Sequence, residues 1–246
     1  MYTEMKICVA QTRPLKGDME KNIKNHKNLI KIAVSAGADI IIFPELSLTG
    51  YEPGLSGELA TTPDDNRFDD FQKISDTRQI TIGVGVPTKN NPGTCISMII
   101  FEPQKPRQTY SKKYLHPDEE EFFIAGQTST ALIGRQSNIA VAICYELSVP
   151  EHSEIAFKSG AEIYIASVVK SVNATHNAIE ILSEIAKKYS MTVLMSNCVG
   201  HSGGYECGGK SSVWNNTGLL AGQLNHTNEG IIIIDTGTQE ITEKTM

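Results

Sequence analysis

The run 139–151 reads IAVAICYELSVPE, so an apolar stretch leads straight into Cys144, and Pro150 offers a helix start a few residues later. A lone cysteine is most often core packing. Cys144 differs by position: the end of a strand, followed by a short turn and a helix, presents a thiol at the strand tip. The next backbone N–H, that of Tyr145, is then offered to an oxyanion developing on a carbonyl under attack. Cys8, Cys95, Cys198 and Cys207 lack this context and read as structural.

A thiol nucleophile needs a proton acceptor and a positive charge, and two further segments offer them. In FPELSLTGY (43–51) the apolar run 39–43 delivers Glu45 at a strand's C-terminal end, where open sheets place their sites. Pro44 fixes the backbone before it, and Gly50 with Tyr51 suggests a shaped turn. A solvated charge would explain Glu45 but not the whole segment. In YSKKYLH (110–116) a strand sends Lys112 and Lys113 to opposite faces, with Lys112 on the face of Tyr110 and Tyr114. One of the two lysines can therefore point inward. The run 118–121 (DEEE) reads as a solvated acidic loop, but Phe122 and Phe123 anchor it to the core, so one of Glu119, Glu120 and Glu121 is held in place.

Positioning these groups falls to alternating strands and helices. Strands are expected at 5–10, 39–43, 80–86, 94–101, 108–110, 139–143, 162–167, 192–196 and 231–235. Apolar spacing of three and four predicts helices over 19–35, 68–79, 150–159 and 174–189. Gly37 suits the cap of the first helix, and Pro150 the first turn of the third. Segments 94–101 and 108–110 pair through the Pro103–Pro106 connection, and 215–218 makes a turn between short strands. Such hairpins interrupt the alternation, so two mixed sheets packed face to face with helices outside fit better than one parallel sheet. The Gly-rich segment 200–209 reads as a loop, not a linker, and no composition break divides the 246 residues, which suit one α/β domain.

Composition narrows the function. A net charge of −6 argues against a general nucleic-acid binder. No apolar run spans a bilayer, and the start MYTEMKICVAQTR reads as a strand and not an export signal. Five scattered cysteines do not form a disulfide framework, so a reducing cytoplasm is the expected compartment.

Taken together, FPELSLTGY around Glu45, YSKKYL around Lys112 and AICYELSVPE around Cys144 resemble the nitrilase superfamily of carbon–nitrogen hydrolases. The stretch 119–126 (EEEFFIAG) resembles the family's glutamate-led segment that ends in glycine. The family register selects Lys112 over Lys113, from Tyr-x-Lys with a leucine beyond. It selects Glu119 over Glu120 and Glu121, from the spacing of seven to Gly126. The resemblance covers the chain from Met5 to the last strand, and three motifs in order make it specific. It implies an αββα four-layer sandwich of two mixed sheets with helices outside, in a single domain, 1–246. It also implies pairing into dimers through the sheet-flanking helices, with the short tail after Asn225 favouring a small assembly. The implied reaction is hydrolysis of a small non-peptide amide, of ω-amide or carbamoyl type, or less often a nitrile, with no cofactor and no metal.

The roles implied by the resemblance agree with the chemistry. A thiol with an ordinary pKa of about 8.5 is only a few per cent ionised at neutral pH. Glu45 would take the Cys144 proton and pass it to the leaving amine. Lys112 and the Tyr145 N–H would stabilise the oxyanion, and Glu119 would orient Lys112 and hold the substrate. Strand-end position and the resemblance assign Tyr51, Tyr145, Glu146, Val168 and Asn197 to the substrate pocket. Three residues depart from the pattern: Glu146 replaces a common aspartate, Val149 a common aromatic and Glu154 a common arginine. They bear on substrate class and loop geometry, not on the reaction.

Rival readings are weaker. Residues 204–211 (GYECGGKS) satisfy a phosphate-loop pattern, but that mechanism needs a helix after Lys210, and SVWNNTG reads as strand then turn. Cys198, His201 and Cys207 supply three possible metal ligands and no clear fourth. A cysteine–histidine hydrolase would draw on His116, His152, His176, His201 or His226, none with a sequence context that brings it to Cys144. An inactive binding module would not need to keep Glu45, Lys112 and Cys144.

Overall fold

Isoleucine-rich strands in this protein are buried on both faces, and alternation decides which layer each side chain joins. In β1 (Lys6–Gln11), Ile7 and Val9 enter one core while Cys8 and Ala10 enter another. In β2 (Ile40–Ile42), Ile40 and Ile42 follow the first pair and Ile41 the second. A period of two thus splits each strand between two hydrophobic layers.

The computed structural model describes residues 4–128, 130–134, 136 and 138–246. After β2 come β3 (Thr81–Asn90), β4 (Gly93–Phe101), β5 (Gln108–Ser111), β6 (Ala131–Ile133), β7 (Ile139–Ile143), β8 (Ile163–Ser167) and β9 (Thr192–Ser196). The chain continues with β10 (Val199–Ser202), β11 (Tyr205–Gly208), β12 (Ser212–Trp214), β13 (Leu220–Gln223), β14 (Gly230–Asp235) and β15 (Ile241–Thr245). Among the described residues, a seven-stranded sheet has the order β15-β14-β1-β2-β3-β4-β5 and a six-stranded sheet the order β13-β12-β9-β8-β7-β6. Both are mixed: β1-β2-β3 and β7-β8-β9 run parallel, and their flanks antiparallel.

The helices are α1 (Met19–Ser35), α2 (Ser56–Leu59), α3 (Asp69–Arg78), α4 (Pro150–Lys158) and α5 (Val172–Tyr189). On α1 the residues Met19, Ile23, Leu29, Ile30 and Ala33 form one buried stripe, and the Asp18 carboxylate caps its first turn by accepting the Lys21 N–H at 3.1 Å. That stripe and Phe71 of α3 cover the outer face of the first sheet, joining Ile41, Phe43, Ile82 and Val84. Ala156 of α4 and Ala178, Leu182 and Ala186 of α5 belong to the other core, with both sheets' facing side chains. The result is the expected αββα sandwich.

Two serine hydroxyls tie the sheets together at one end. Ser167, at the end of β8, donates to the Phe43 carbonyl at 2.8 Å. Ser196, at the end of β9, donates to the Ala10 and Ile42 carbonyls at 2.6 and 3.1 Å.

Some elements differ from expectation. The second strand stops at Ile42 because the backbone turns into the Pro44–Glu45 segment, and α5 starts two residues early because Ser171 caps it through the Ala174 N–H at 3.3 Å. The segment 200–209, expected as a loop, forms most of the β10–β11 hairpin, with Gly203 and Gly204 at positive φ in its turn. No helix follows Lys210; β12 does, which removes the phosphate-loop geometry. No helix among the described residues is long and apolar enough to cross a membrane.

Candidate active site

Glu45 sits in a tight turn just past β2, pressed against β3. Gly85 makes this possible, since a β-carbon there would overlap the Pro44 carbonyl and the Leu46 nitrogen. Leu46 takes the left-handed conformation, with φ 48°. Ser47 is held from behind by His26 of α1, whose Nε2 is 2.8 Å from the hydroxyl and whose Nδ1 is 2.7 Å from the Asn22 carbonyl. Burial drives the His26 pKa down to about 3, so the ring is neutral, donating to Asn22 and accepting from Ser47.

Lys112 follows β5. Its N–H donates to the Ile96 carbonyl and its carbonyl accepts from the Gly126 N–H, both at 2.8 Å. The side chain turns inward and is fully buried, while the Lys113 ammonium lies over the Tyr114 ring. The Lys112 ammonium donates to Glu45 Oε1 at 2.8 Å and to Glu119 Oε1 at 2.7 Å. Of the three adjacent glutamates it is Glu119 that is buried, within a single turn (Pro117–Glu119). Its Oε1 also accepts the Tyr51 hydroxyl at 3.0 Å, and its Oε2 accepts the His116 N–H at 2.8 Å. Phe123 anchors the segment in the core as expected, whereas Phe122 is partly exposed.

Cys144 is the hinge between β7 and a 3-10 turn (Cys144–Ser148), with a left-handed φ of 46° that is unfavourable for a residue bearing a side chain. Its Sγ lies 3.7 Å from the Val169 carbonyl. Burial raises the Cys144 pKa, the Glu45 charge adds to the rise, and the ammonium groups of Lys170 and Lys112 oppose it. Burial likewise raises the Glu45 pKa, against the pull of Lys112, and the neighbouring Glu119 charge adds to it. Burial alone would lower Lys112, but Glu45, Cys144 and Glu119 together hold it above the ordinary lysine value. Two carboxylates around one buried ammonium are no device for stability, because desolvating the charges offsets their attraction. They leave two carboxyl groups, an ammonium and a thiol electrostatically linked, an arrangement that shifts pKa values.

A cavity of about 450 Å³ opens over the thiol, and Tyr51, Glu119, Cys144 and Tyr145 line it. The other three residues expected in the pocket lie elsewhere. Val168 is fully buried beneath the cavity wall, where its neighbour Val169 takes the lining position. Asn197 is buried and holds backbone: Oδ1 accepts the Lys170 and Cys198 N–H groups at 2.9 Å each, and Nδ2 donates to the Gly209 carbonyl at 2.8 Å. Glu146 is buried within the turn that begins at Cys144. Its Oε2 accepts the Ile143 N–H and its Oε1 the Lys113 N–H, both at 2.8 Å, and burial pushes its pKa up to about 7 against the pull of those donors. A strand-end position says that a residue is near the site, but not on which side of the backbone its side chain lies.

Sequence reasoning missed Lys170, Tyr205 and His116, which share the cavity wall. Lys170 lies three residues beyond β8, the same strand-end signal that pointed to Val168. His116 is brought beside Tyr145, with ring centroids 5.2 Å apart, a placement its sequence context did not signal. His152 is instead buried among Tyr110, Tyr164 and Glu146, and His201 is exposed beside Glu206. Among the described residues no group of three His, Cys, Asp or Glu side chains is placed to hold a metal ion.

The model of the carbon–nitrogen hydrolase family matches residues 6–244. Among relatives, a hydrolase in the agr operon of Staphylococcus aureus is 25% identical over 247 residues, covering 98% of this chain and 94% of that one. An (R)-stereoselective amidase of a Pseudomonas species is 27% identical over 167 residues, covering 66% of this chain and 60% of the other. Solved structures of an amidase from Nesterenkonia sp. AN1 share the fold. One shows the acetamide moiety of fluoroacetamide added covalently to that protein's active-site cysteine, at TM-score 0.85 and 21% identity, covering 94% of this chain and 90% of that one. Another is a complex with butyramide, at TM-score 0.85 and 20% identity, covering 96% and 92%.

Proposed function

The chain belongs to the carbon–nitrogen hydrolase family, and from that premise we propose that it hydrolyses a small non-peptide amide through a thioester on Cys144. The observation that carries this reading is the Lys112 ammonium bonded to both Glu45 and Glu119, of which Glu119 lines the same cavity as Cys144.

In the proposed cycle, Glu45 takes the proton of the Cys144 thiol and sulfur attacks the amide carbon. The carbonyl oxygen becomes an oxyanion held by the Lys112 ammonium and the Tyr145 N–H, a contribution of about 3–4 kcal/mol per well-placed donor. Collapse breaks the carbon–nitrogen bond as Glu45 returns the proton to nitrogen, and ammonia or amine leaves. Glu45 then takes a proton from water, whose oxygen attacks the thioester. The second intermediate expels the thiolate, which recovers a proton, and the acid departs. Glu119 keeps Lys112 directed at the reacting oxygen and, with Tyr51, shapes the cavity floor.

We read residues 1–246 as one hydrolase domain, since the two sheets supply different members of the site. Pairing through the outer faces of α4 and α5 fits the groove there of about 470 Å³, whose walls include Leu147, Ile181, Ile185 and Tyr189. Phe157 at 47% exposure is a large apolar side chain on the same layer. A reducing cytoplasm suits five free thiols.

The test is ammonia release from a series of small amides, with intact-mass analysis of the protein during turnover. The reading expects ammonia and an acyl adduct on Cys144, both lost in Cys144→Ala. Turnover that survives Cys144→Ala would overturn it.

A further inference from the structure

His152, on the first turn of α4, is fully buried and belongs to a row of four side chains. Its Nδ1 is 2.9 Å from the Tyr164 hydroxyl of β8, and its Nε2 is 3.1 Å from the Tyr110 hydroxyl of β5. Tyr110 in turn reaches both oxygens of Glu146, at 2.9 and 2.8 Å. The row ends on backbone. Glu146 accepts the Ile143 N–H, directly before Cys144, and the Lys113 N–H, directly after Lys112, both at 2.8 Å. His152 Nε2 lies 3.6 Å from Glu146 Oε2, beyond hydrogen-bond reach, so Tyr110 is the link between the two.

The direction of these bonds follows from counting hydrogens. Burial lowers the His152 pKa to about 4, so the ring is neutral and carries one hydrogen. Burial also raises the pKa of both tyrosines, so each hydroxyl keeps its own. When Glu146 is ionised, Tyr110 gives its single hydrogen to the carboxylate. Its oxygen then accepts from Nε2, and Nδ1 accepts the hydrogen of Tyr164. Every link is satisfied in this direction. The opposite tautomer sets a bare Nε2 against Tyr110, and one of the two links around that hydroxyl is lost, a costly state for buried polar groups.

The backbone held by this row is the strained one. Cys144 has φ 46°, a conformation that persists in a residue bearing a side chain where neighbouring groups fix it. Lys112 comes to it from the other sheet, so the junction also sets how the two meet. We propose that His152 is a positioning residue for Cys144 and Lys112. Its Nε2 hydrogen turns the Tyr110 hydroxyl onto Glu146, and Glu146 holds the nucleophile turn against the end of β5. The role in turnover rests on the amide-hydrolase reading above; the effect on the thiol does not.

The experiment has two parts. Heteronuclear NMR on protein with isotope-labelled histidine reads the His152 ring, assigned through its contacts to Tyr110 and Tyr164, at a pH well above 7 where Glu146 is ionised. The expected ring has a hydrogen on Nε2 and none on Nδ1. A hydrogen on Nδ1, or on both nitrogens, would overturn the proposal, and this measurement needs no variant. The second part follows Cys144 alkylation by a neutral haloacetamide, by peptide mass, together with kcat and KM for a small amide. His152→Phe fills the space and removes both hydrogen bonds, whereas His152→Gln keeps a donor that can reach Tyr110. His152→Phe is expected to slow alkylation and lower kcat by about 10-fold or more, with KM changed less than about 2-fold, as small displacements of reacting groups do. His152→Gln is expected to recover most of both. Unchanged rates in folded His152→Phe, a loss confined to KM, or equal losses in the two variants would overturn the proposal, leaving the ring as packing. His152→Leu replaces His152→Phe should the latter not fold. If no amide is hydrolysed, the functional reading fails by itself, and the alkylation rates and the tautomer still decide this one.

Discussion

Tyr110 donates its hydroxyl to the Glu146 carboxylate, with the two oxygens 2.9 and 2.8 Å away. Tyr110 stands two residues before Lys112, and Glu146 two residues after Cys144. The same carboxyl group accepts the N–H groups of Lys113 and Ile143, so one buried side chain fixes the strand end that carries the ammonium against the turn that carries the thiol. Tyr110→Phe is expected to cost about 1–3 kcal/mol in urea unfolding, the penalty for removing one donor from a buried acceptor. Glu146→Gln should cost more, because its amide nitrogen would have to face one of the two backbone donors. Equal stability of both variants and wild type would show that the junction does not depend on this carboxylate.

Glu45→Gln separates proton transfer from thiol ionisation. Removing the proposed base should lower kcat by about 10²–10⁴-fold. The Glu45 charge also opposes thiolate formation on Cys144. The midpoint of the pH dependence of Cys144 alkylation by a neutral haloacetamide should therefore move down in the variant even as turnover is lost. A midpoint that rises would contradict this arrangement.

Gly126 explains in steric terms why the acidic segment ends in glycine. A β-carbon at this position would overlap the Ser111 carbonyl, directly before Lys112. Gly126→Ala is expected to destabilise by about 1–3 kcal/mol through overpacking and to reduce activity by displacing Lys112. Gly57→Ala, with nothing within 4 Å of the added carbon, is the matched control. Thermal unfolding and ammonia release on both variants check the contrast.

His26 predicts a loss of stability in acid. Its pKa is about 3 in the fold, pushed down by burial, and about 6.5 in the unfolded chain. Between these values the unfolded state binds the proton and the native state does not, so this contribution is complete above pH 6.5 and falls as pH drops toward 3. Each pH unit in that window is worth about 1.4 kcal/mol. His26→Gln should lose about 2 kcal/mol less stability than wild type between pH 7 and pH 5. Buried His152, lowered to about 4, leaves part of the slope in place. Parallel curves for the two proteins would refute the assignment.

Much of this was legible in the residues because strands carry a strict period. Tyr110 and Lys112 enter the gap between the sheets as alternation demands, and the apolar spacing of 19–35 marks the buried stripe of α1. Glu119 stood out from its neighbours only through family resemblance, because one turn of a loop has no period to read. Lys170 was missed, and Asn197 wrongly assigned to the pocket, for a related reason. Both follow strand ends, where hydrogen bonds to distant backbone, not local pattern, decide which way a side chain turns. The β10–β11 hairpin hid behind glycines that serve its turn and neighbouring bends.

Ser167 and Ser196 bolt the two sheets across the same end that carries Glu45 and Cys144. The scaffold there cannot gape like a clamshell without breaking three buried hydrogen bonds. Entry and exit of small molecules must accordingly fall to the side walls, where Phe122 sits on a short connecting segment and Tyr205 opens β11. Bulk added to those walls should throttle traffic while the chemistry beneath keeps its alignment.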